Sequence, residues 1–175
     1  PDGHNVYAYL QSTKYFEHIE EEIREDFEFK NDIHSPCKEM MSTLDKPIAL
    51  HVRRGDYIQN SDNHPPCPKE YYDTALSKFD NNRTVVVFSD DPKWCSTEFP
   101  DDRFLVSDGG DNLADLCMMS LCSDFIIANS SFSWWGSWLS RNPDKRIIAP
   151  KKWFGTGYTK NHNTSDLYCD NWEVL

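Results

Sequence analysis

The chain has 175 residues, enough for one domain with a sizeable core, and its 18 Lys and Arg against 29 Asp and Glu leave a net charge of −11. That acidity argues against nucleic acid or an anionic membrane surface as a general partner, while 38% hydrophobic and 14% aromatic residues argue against disorder. No apolar run approaches the length of a transmembrane segment, no signal peptide opens the chain, and Pro1-Asp2-Gly3 reads as a sequence entered in mid-stream.

Residues 12 to about 29 place Phe16, Ile19, Ile23 and Phe27 at helical spacing with Glu20, Glu21, Glu22 and Glu25 between them, predicting one amphipathic helix with its acidic side in water. A polar connector broken by Pro36 and Pro47 follows, so residues 1–46 are expected to be a helical connecting segment and 47–175 a Rossmann-like domain. From there strands and helices alternate. Ile48 to Arg53 is a strand, Pro68 to Phe79 a helix, Thr84 to Phe88 a continuous apolar strand of the kind covered on both faces, and Pro92 to Glu98 a short helix. Arg103 to Val106 is a third strand, Asp111 caps a helix carrying Leu113, Leu116, Cys117 and Leu121, and Phe125 to Ala128 is a fourth strand. Ser133 to Arg141 is a helix and Arg146 to Ala149 a fifth strand. This alternation predicts an α/β fold with a parallel, right-handed, Rossmann-like sheet.

Six cysteines (Cys37, Cys67, Cys95, Cys117, Cys122, Cys169) lack C-x-x-C spacing, which speaks against a zinc site. They are read as reduced thiols of a cytosolic protein, with a disulfide in a secretory lumen as the alternative. Asn82, Asn129 and Asn163 begin sequons, a weak pointer to such a lumen.

Ligands of parallel sheets bind beyond the carboxyl ends of the strands, and three polar clusters fall there. The first is His51-Val52-Arg53-Arg54-Gly55-Asp56-Tyr57; the others are Ser89-Asp90-Asp91 and Asn129-Ser130-Ser131. An arginine pair ending a buried strand suits an anion such as a nucleotide phosphate, because guanidinium forks are planar and permanently charged; salt bridges to the chain's own carboxylates are the alternative. Ser130 and Ser131 lie at a helix start, where N–H groups and the helix dipole favour phosphate, although serine also caps helices. Asp90 and Asp91 could accept from ribose or from guanine, and one of them is expected to cap the helix at Pro92. His51 could hydrogen-bond a base or a phosphate. Trp135, Trp138 and Leu139 read as core, whereas Trp134, on another helix face, could stack on a sugar or base. Convergence of the clusters favours the ligand-site reading over salt bridges. No G-x-G-x-x-G, P-loop or metal-spaced carboxylate cluster is present. An arginine-and-helix-end diphosphate site without a metal points to a GT-B type glycosyltransferase.

The same residues resemble a known family. His51-Val52-Arg53-Arg54-Gly55-Asp56-Tyr57 is similar to the H-x-R-R-x-D-Y motif of the α-1,2-fucosyltransferases, glycosyltransferase family eleven. Phe88 to Trp94, the run from Ile127 through Asn129-Ser130-Ser131 to Leu139, and Ala149 to Phe154 match in the same order, and Tyr9 to Phe16 resembles the segment before the family's donor domain. The resemblance implies one lobe of a GT-B fold, GDP-β-L-fucose as donor, the 2-hydroxyl of a galactoside as acceptor, inversion, and no metal cofactor. It implies Arg54 and Arg53 on the diphosphate, stabilising the leaving group, and His51 with Asp90 or Asp91 on guanine or ribose. Asn129, Ser130 and Ser131 would line the donor site, with Ser130 and Ser131 on phosphate oxygens, and Asp56 is a candidate base. The family's glycine-rich opening is not found, so the chain is expected to hold the donor-binding portion and to transfer little fucose alone. A non-catalytic binding module and a transferase of another GDP-sugar are the competing readings. The expected location is the cytoplasm, at the membrane periphery, or the Golgi lumen for an animal-type enzyme.

Overall fold

The computed structural model describes residues 12–158 and 162–175. Tyr9 to Gln11 of the family-like opening lie outside them. Six strands form one sheet: β1 (Ile48–Val52), β2 (Val85–Ser89), β3 (Phe104–Val106), β4 (Asp124–Ile126), β5 (Ile147–Ala149) and β6 (Glu173–Val174). Their order is β3-β2-β1-β4-β5-β6 and every pairing is parallel, the doubly wound arrangement expected from the alternation.

Alternating side chains of β1 and β2 feed two cores. Ile48, Leu50, Val52, Val85 and Val87 pack with Tyr71, Tyr72, Ala75 and Leu76 of α3 (Lys69–Leu76) and Cys95 of α4 (Pro92–Glu98). Ala49, Val86 and Phe88 point to the opposite face, where Met119 of α5 (Asn112–Ser120) and Trp134 and Trp138 of α6 (Ser131–Leu139) cover the sheet. Both faces are therefore dry, which is why these strands read as unbroken apolar runs. Asp111 caps α5 by accepting from the N–H groups of Leu113 and Ala114.

The amino-terminal part departs from expectation. In place of one helix over 12–29 there are two 3-10 turns, Thr13–Tyr15 and Glu17–Ile19, and a short α1 (Glu20–Asp26). The Ser12 side chain accepts from the Lys14 N–H, and Phe16 is drawn inward onto Trp135 and Trp138, at ring distances of 5.5 and 5.1 Å. The expected polar connector is instead α2 (Asn31–Met41), which runs through Pro36. Cys37 and Met41, one turn apart, are buried there, and this packing outweighs the single backbone hydrogen bond that the proline removes. Helix α6 starts two residues earlier than expected, and β6 was not foreseen. Trp134 is a correction: it is fully buried and its indole N–H donates to the Leu167 carbonyl at 2.7 Å, so it is core and cannot stack on a ligand. All six cysteines are free, and five are buried. Among the described residues no helix is long and apolar enough to cross a membrane.

Candidate active site

The chain leaves β1 for β2 and β3 on one side, then returns to β4 on the other. The strand order thus reverses between β1 and β4, and the crevice beyond their carboxyl ends is where doubly wound sheets place ligands. His51 and Arg53 reach this point from β1, and Asn129 to Ser131 reach it from β4. A cleft of about 570 Å³ opens here, with Arg53, Asp56, Ser130, Ser131 and Phe132 among its lining residues. A larger, mainly apolar groove of about 760 Å³ runs among Pro65, Pro66, Tyr71 and Pro150 but receives neither the arginines nor the serines.

The two arginines have different surroundings. Arg53 lines the cleft, with one guanidinium nitrogen 2.6 Å from Asp56 and another 3.0 Å from Asp90. Arg54 turns away from the cleft onto the Trp94 ring, 4.1 Å from its centroid, and pairs with Asp91 at 3.1 Å. Both therefore make the salt bridges considered as the alternative, while Arg53 also presents to the cleft. Asp91 is the helix cap expected at Pro92, accepting from the Trp94 N–H, and Asp90 accepts from the Arg54 backbone N–H at 2.9 Å.

His51 is buried, and its Nδ1 has no hydrogen-bond partner. Burial, reinforced by the Arg53 charge, lowers its pKa to about 3, so the imidazole is neutral. Its ring lies 5.3 Å from Phe132, in the first turn of α6. Ser130 is the N-cap of α6, yet its side chain makes no capping bond, and Ser131 is exposed at the first helical position. Asn129 is 1% exposed; its side-chain amide nitrogen donates to the carbonyls of Pro65 and Trp153 at 3.0 and 2.9 Å, and its backbone carbonyl accepts from the Tyr57 hydroxyl at 3.1 Å. A side chain so committed ties loops together and is closed to glycosylation.

The sequence reading missed the aromatic part of the cleft wall. Tyr57, His64, Phe154 and Tyr158 meet there from two loops far apart in the chain. The signals available were Tyr57 at the end of the arginine motif and the ring-rich run after β5.

A parallel sheet whose switch-point cleft joins Arg53 and the start of α6 defines a Rossmann-like α/β domain. The chain belongs to glycosyl transferase family 11, which it matches over residues 1–175. It is 31% identical over 187 aligned positions to the O-antigen biosynthesis glycosyltransferase WbnK of Escherichia coli, covering 98% of this chain and 60% of that protein. It is 37% identical to an alpha-1,2-colitosyltransferase of Escherichia coli, covering 84% of this chain and 55% of the relative. Identity to galactoside alpha-(1,2)-fucosyltransferase 1 of Bos taurus is 24%, covering 74% and 41%. The chain thus spans roughly half the length of the curated relatives it matches. Among solved structures, fucosyltransferase NodZ from Bradyrhizobium aligns over 63% of this chain and 42% of its own, at 18% identity and a TM-score of 0.42.

Proposed function

We propose that this chain is the donor-binding part, one lobe of a GT-B fold, of an inverting fucosyltransferase that uses GDP-β-L-fucose and the 2-hydroxyl of a terminal galactoside. The observation that carries this reading is the placement of Arg53 in the same cleft as the start of α6. In the proposed complex the diphosphate lies between them, its charge met by the guanidinium and by the N–H groups of the first helical turn. That arrangement stabilises the charge gathering on GDP as the anomeric C–O bond breaks, and it uses no metal ion. Ser130 and Ser131 add hydroxyl donors. His51 and Asp90 would face the nucleoside, and Arg54 with Asp91 would hold the strand end behind them. The acceptor oxygen attacks the anomeric carbon from the face opposite GDP, and Asp56, once free of Arg53, takes the hydroxyl proton.

Calorimetry with GDP, UDP and ADP tests the reading: GDP is expected to bind best, and failure of all three would overturn it. The 37% identity to an alpha-1,2-colitosyltransferase favours a second reading, in which the donor carries a different sugar. Competition between GDP-fucose and GDP-colitose for the GDP site separates the two.

A further inference from the structure

The aromatic part of the cleft wall is built in an unusual way. The loop after β1 and the loop after β5 are clasped by backbone hydrogen bonds: the Gly155 N–H donates to the Asn63 carbonyl and the Gly157 N–H to the Asp62 carbonyl, both at 2.8 Å. Neither glycine has room for a Cβ, which would meet the Asp62 carbonyl at Gly155 and the Asn63 side-chain amide at Gly157. These backbone bonds, with the Asn129 amide that donates to the Pro65 and Trp153 carbonyls, join the two strand-end loops without help from the rings.

The same wall nevertheless carries a cluster of rings. Tyr57 stacks on His64 at 5.0 Å, and Phe154 and Tyr158 meet His64 edge-on at 5.6 and 5.2 Å. All four are half-buried and all four line the cleft. The loops are held without the rings, and although Phe154 packs at the edge of the core, all four rings keep an open side to the cleft. A half-open aromatic surface beside converging polar groups is how a pocket grips the apolar side of a ligand.

Position along the cleft indicates which part of the ligand that is. Arg53 touches Asp90 at 3.0 Å on one flank, and on the other its guanidinium carbon lies 5.3 Å from the Tyr57 ring. The rings adjoin Arg53 within the cleft, so a hexose carried on a diphosphate held at Arg53 would come within their reach. A 6-deoxyhexose has a C–H-rich face and a methyl in place of a hydroxymethyl, and both lose water favourably against aromatic carbon.

We propose that Tyr57, His64, Phe154 and Tyr158 form the sugar subsite of the cleft, gripping the C–H face and C6 methyl of a nucleotide-linked 6-deoxyhexose. The proposal rests on the nucleotide-sugar reading above, and one set of titrations distinguishes their failures. GDP, GDP-fucose and GDP-mannose, whose hexose bears a hydroxymethyl, are titrated into the protein and into its Phe154→Leu and Tyr158→Leu variants. Thermal melts select the variant that keeps the parental fold. The expected result is a loss of about five- to ten-fold in GDP-fucose affinity, with GDP affinity within about two-fold of the parent and a smaller loss for GDP-mannose. Saturation-transfer NMR should show the fucose methyl as the most strongly contacted group in the parent and weakened in the variant. Equal losses for GDP and GDP-fucose, or no loss for either, overturn the sugar subsite alone. A parent that binds none of the three overturns the nucleotide-sugar reading, and the subsite with it.

Discussion

Arg53 and Asp56 close on each other at 2.6 Å at the mouth of the cleft, so the guanidinium that a diphosphate would use is already engaged by a carboxylate. Together the two arginines face three carboxylates, Asp56, Asp90 and Asp91, leaving one negative charge in excess. An anion that is to use these guanidinium groups competes with the carboxylates for them. Asp56, with its side chain 64% exposed, is the one placed to swing into water.

Removing that competitor should tighten anion binding. Asp56→Asn is expected to raise GDP affinity about two- to five-fold, the modest scale of an exposed ion pair, and the gain should shrink as salt is added. Calorimetry at two ionic strengths measures both effects. Weaker GDP binding in this variant would mean that Asp56 supports the ligand and does not compete with it.

The arginines should separate in their effects. Arg53→Ala removes a cleft-facing charge and is expected to weaken GDP binding by about 1–3 kcal/mol with little change in melting temperature. Arg54→Ala removes the contact with Trp94 and the pair with Asp91, so it should cost about 1–2 kcal/mol of stability and less GDP affinity than Arg53→Ala. Denaturant melts and GDP titrations of both variants decide the matter; the reverse ranking would assign the phosphates to Arg54.

His51 makes stability depend on pH in a defined direction. Its folded pKa lies near 3, below the ordinary histidine value of 6.5, so the unfolded chain binds the proton that the folded one refuses. Its contribution is complete above pH 6.5 and is lost progressively as the pH falls from there toward 3. Between pH 7 and pH 5 the loss from this one group is about 2 kcal/mol. Denaturant unfolding of the parent and of His51→Gln at both pH values should show the steeper decline in the parent. Parallel declines would place the proton elsewhere.

Gly155→Ala should open the clasp, since its new methyl meets the fixed backbone carbonyl of Asp62. The expected cost is about 1–3 kcal/mol, with faster hydrogen exchange at the Gly155 and Gly157 amides. Unchanged exchange would show that the loops tolerate the methyl.

A chelator should leave GDP affinity unchanged, because arginine and helix start meet the diphosphate charge in the proposed complex. An affinity lost with chelator and restored by Mg²⁺ or Mn²⁺ would overturn that arrangement. The titration is the same calorimetric one, repeated with and without the chelator.

Much of the sheet was legible because its causes are local. Val85 to Phe88 is apolar on both faces, and Asp91 with Pro92 marks a helix start in two residues. The parts that were not legible depend on distant partners. Phe16 breaks the expected first helix to reach Trp135 and Trp138, more than a hundred residues away, and α2 persists through Pro36 because Cys37 and Met41 have somewhere to pack. Trp134 could be placed only by its bond to Leu167. The polar side of the cleft could be anticipated from strand ends, since β1 and β4 deliver it directly. The aromatic wall could not, since it exists only where residues 57–64 and 154–158 are brought together.

The Asn129 side chain gives the cleft a mechanical character. Through one amide it fastens the Pro65 and Trp153 carbonyls to the residue that opens the turn into α6, while the Tyr57 hydroxyl closes onto the same peptide. Among the described residues these bonds tie the floor of the cleft to the loops on its flanks, which opposes the lifting of either loop alone. A ligand held there would exchange with ion pairs such as Arg53–Asp56, so residence time at this site should follow their making and breaking, and salt should shorten it.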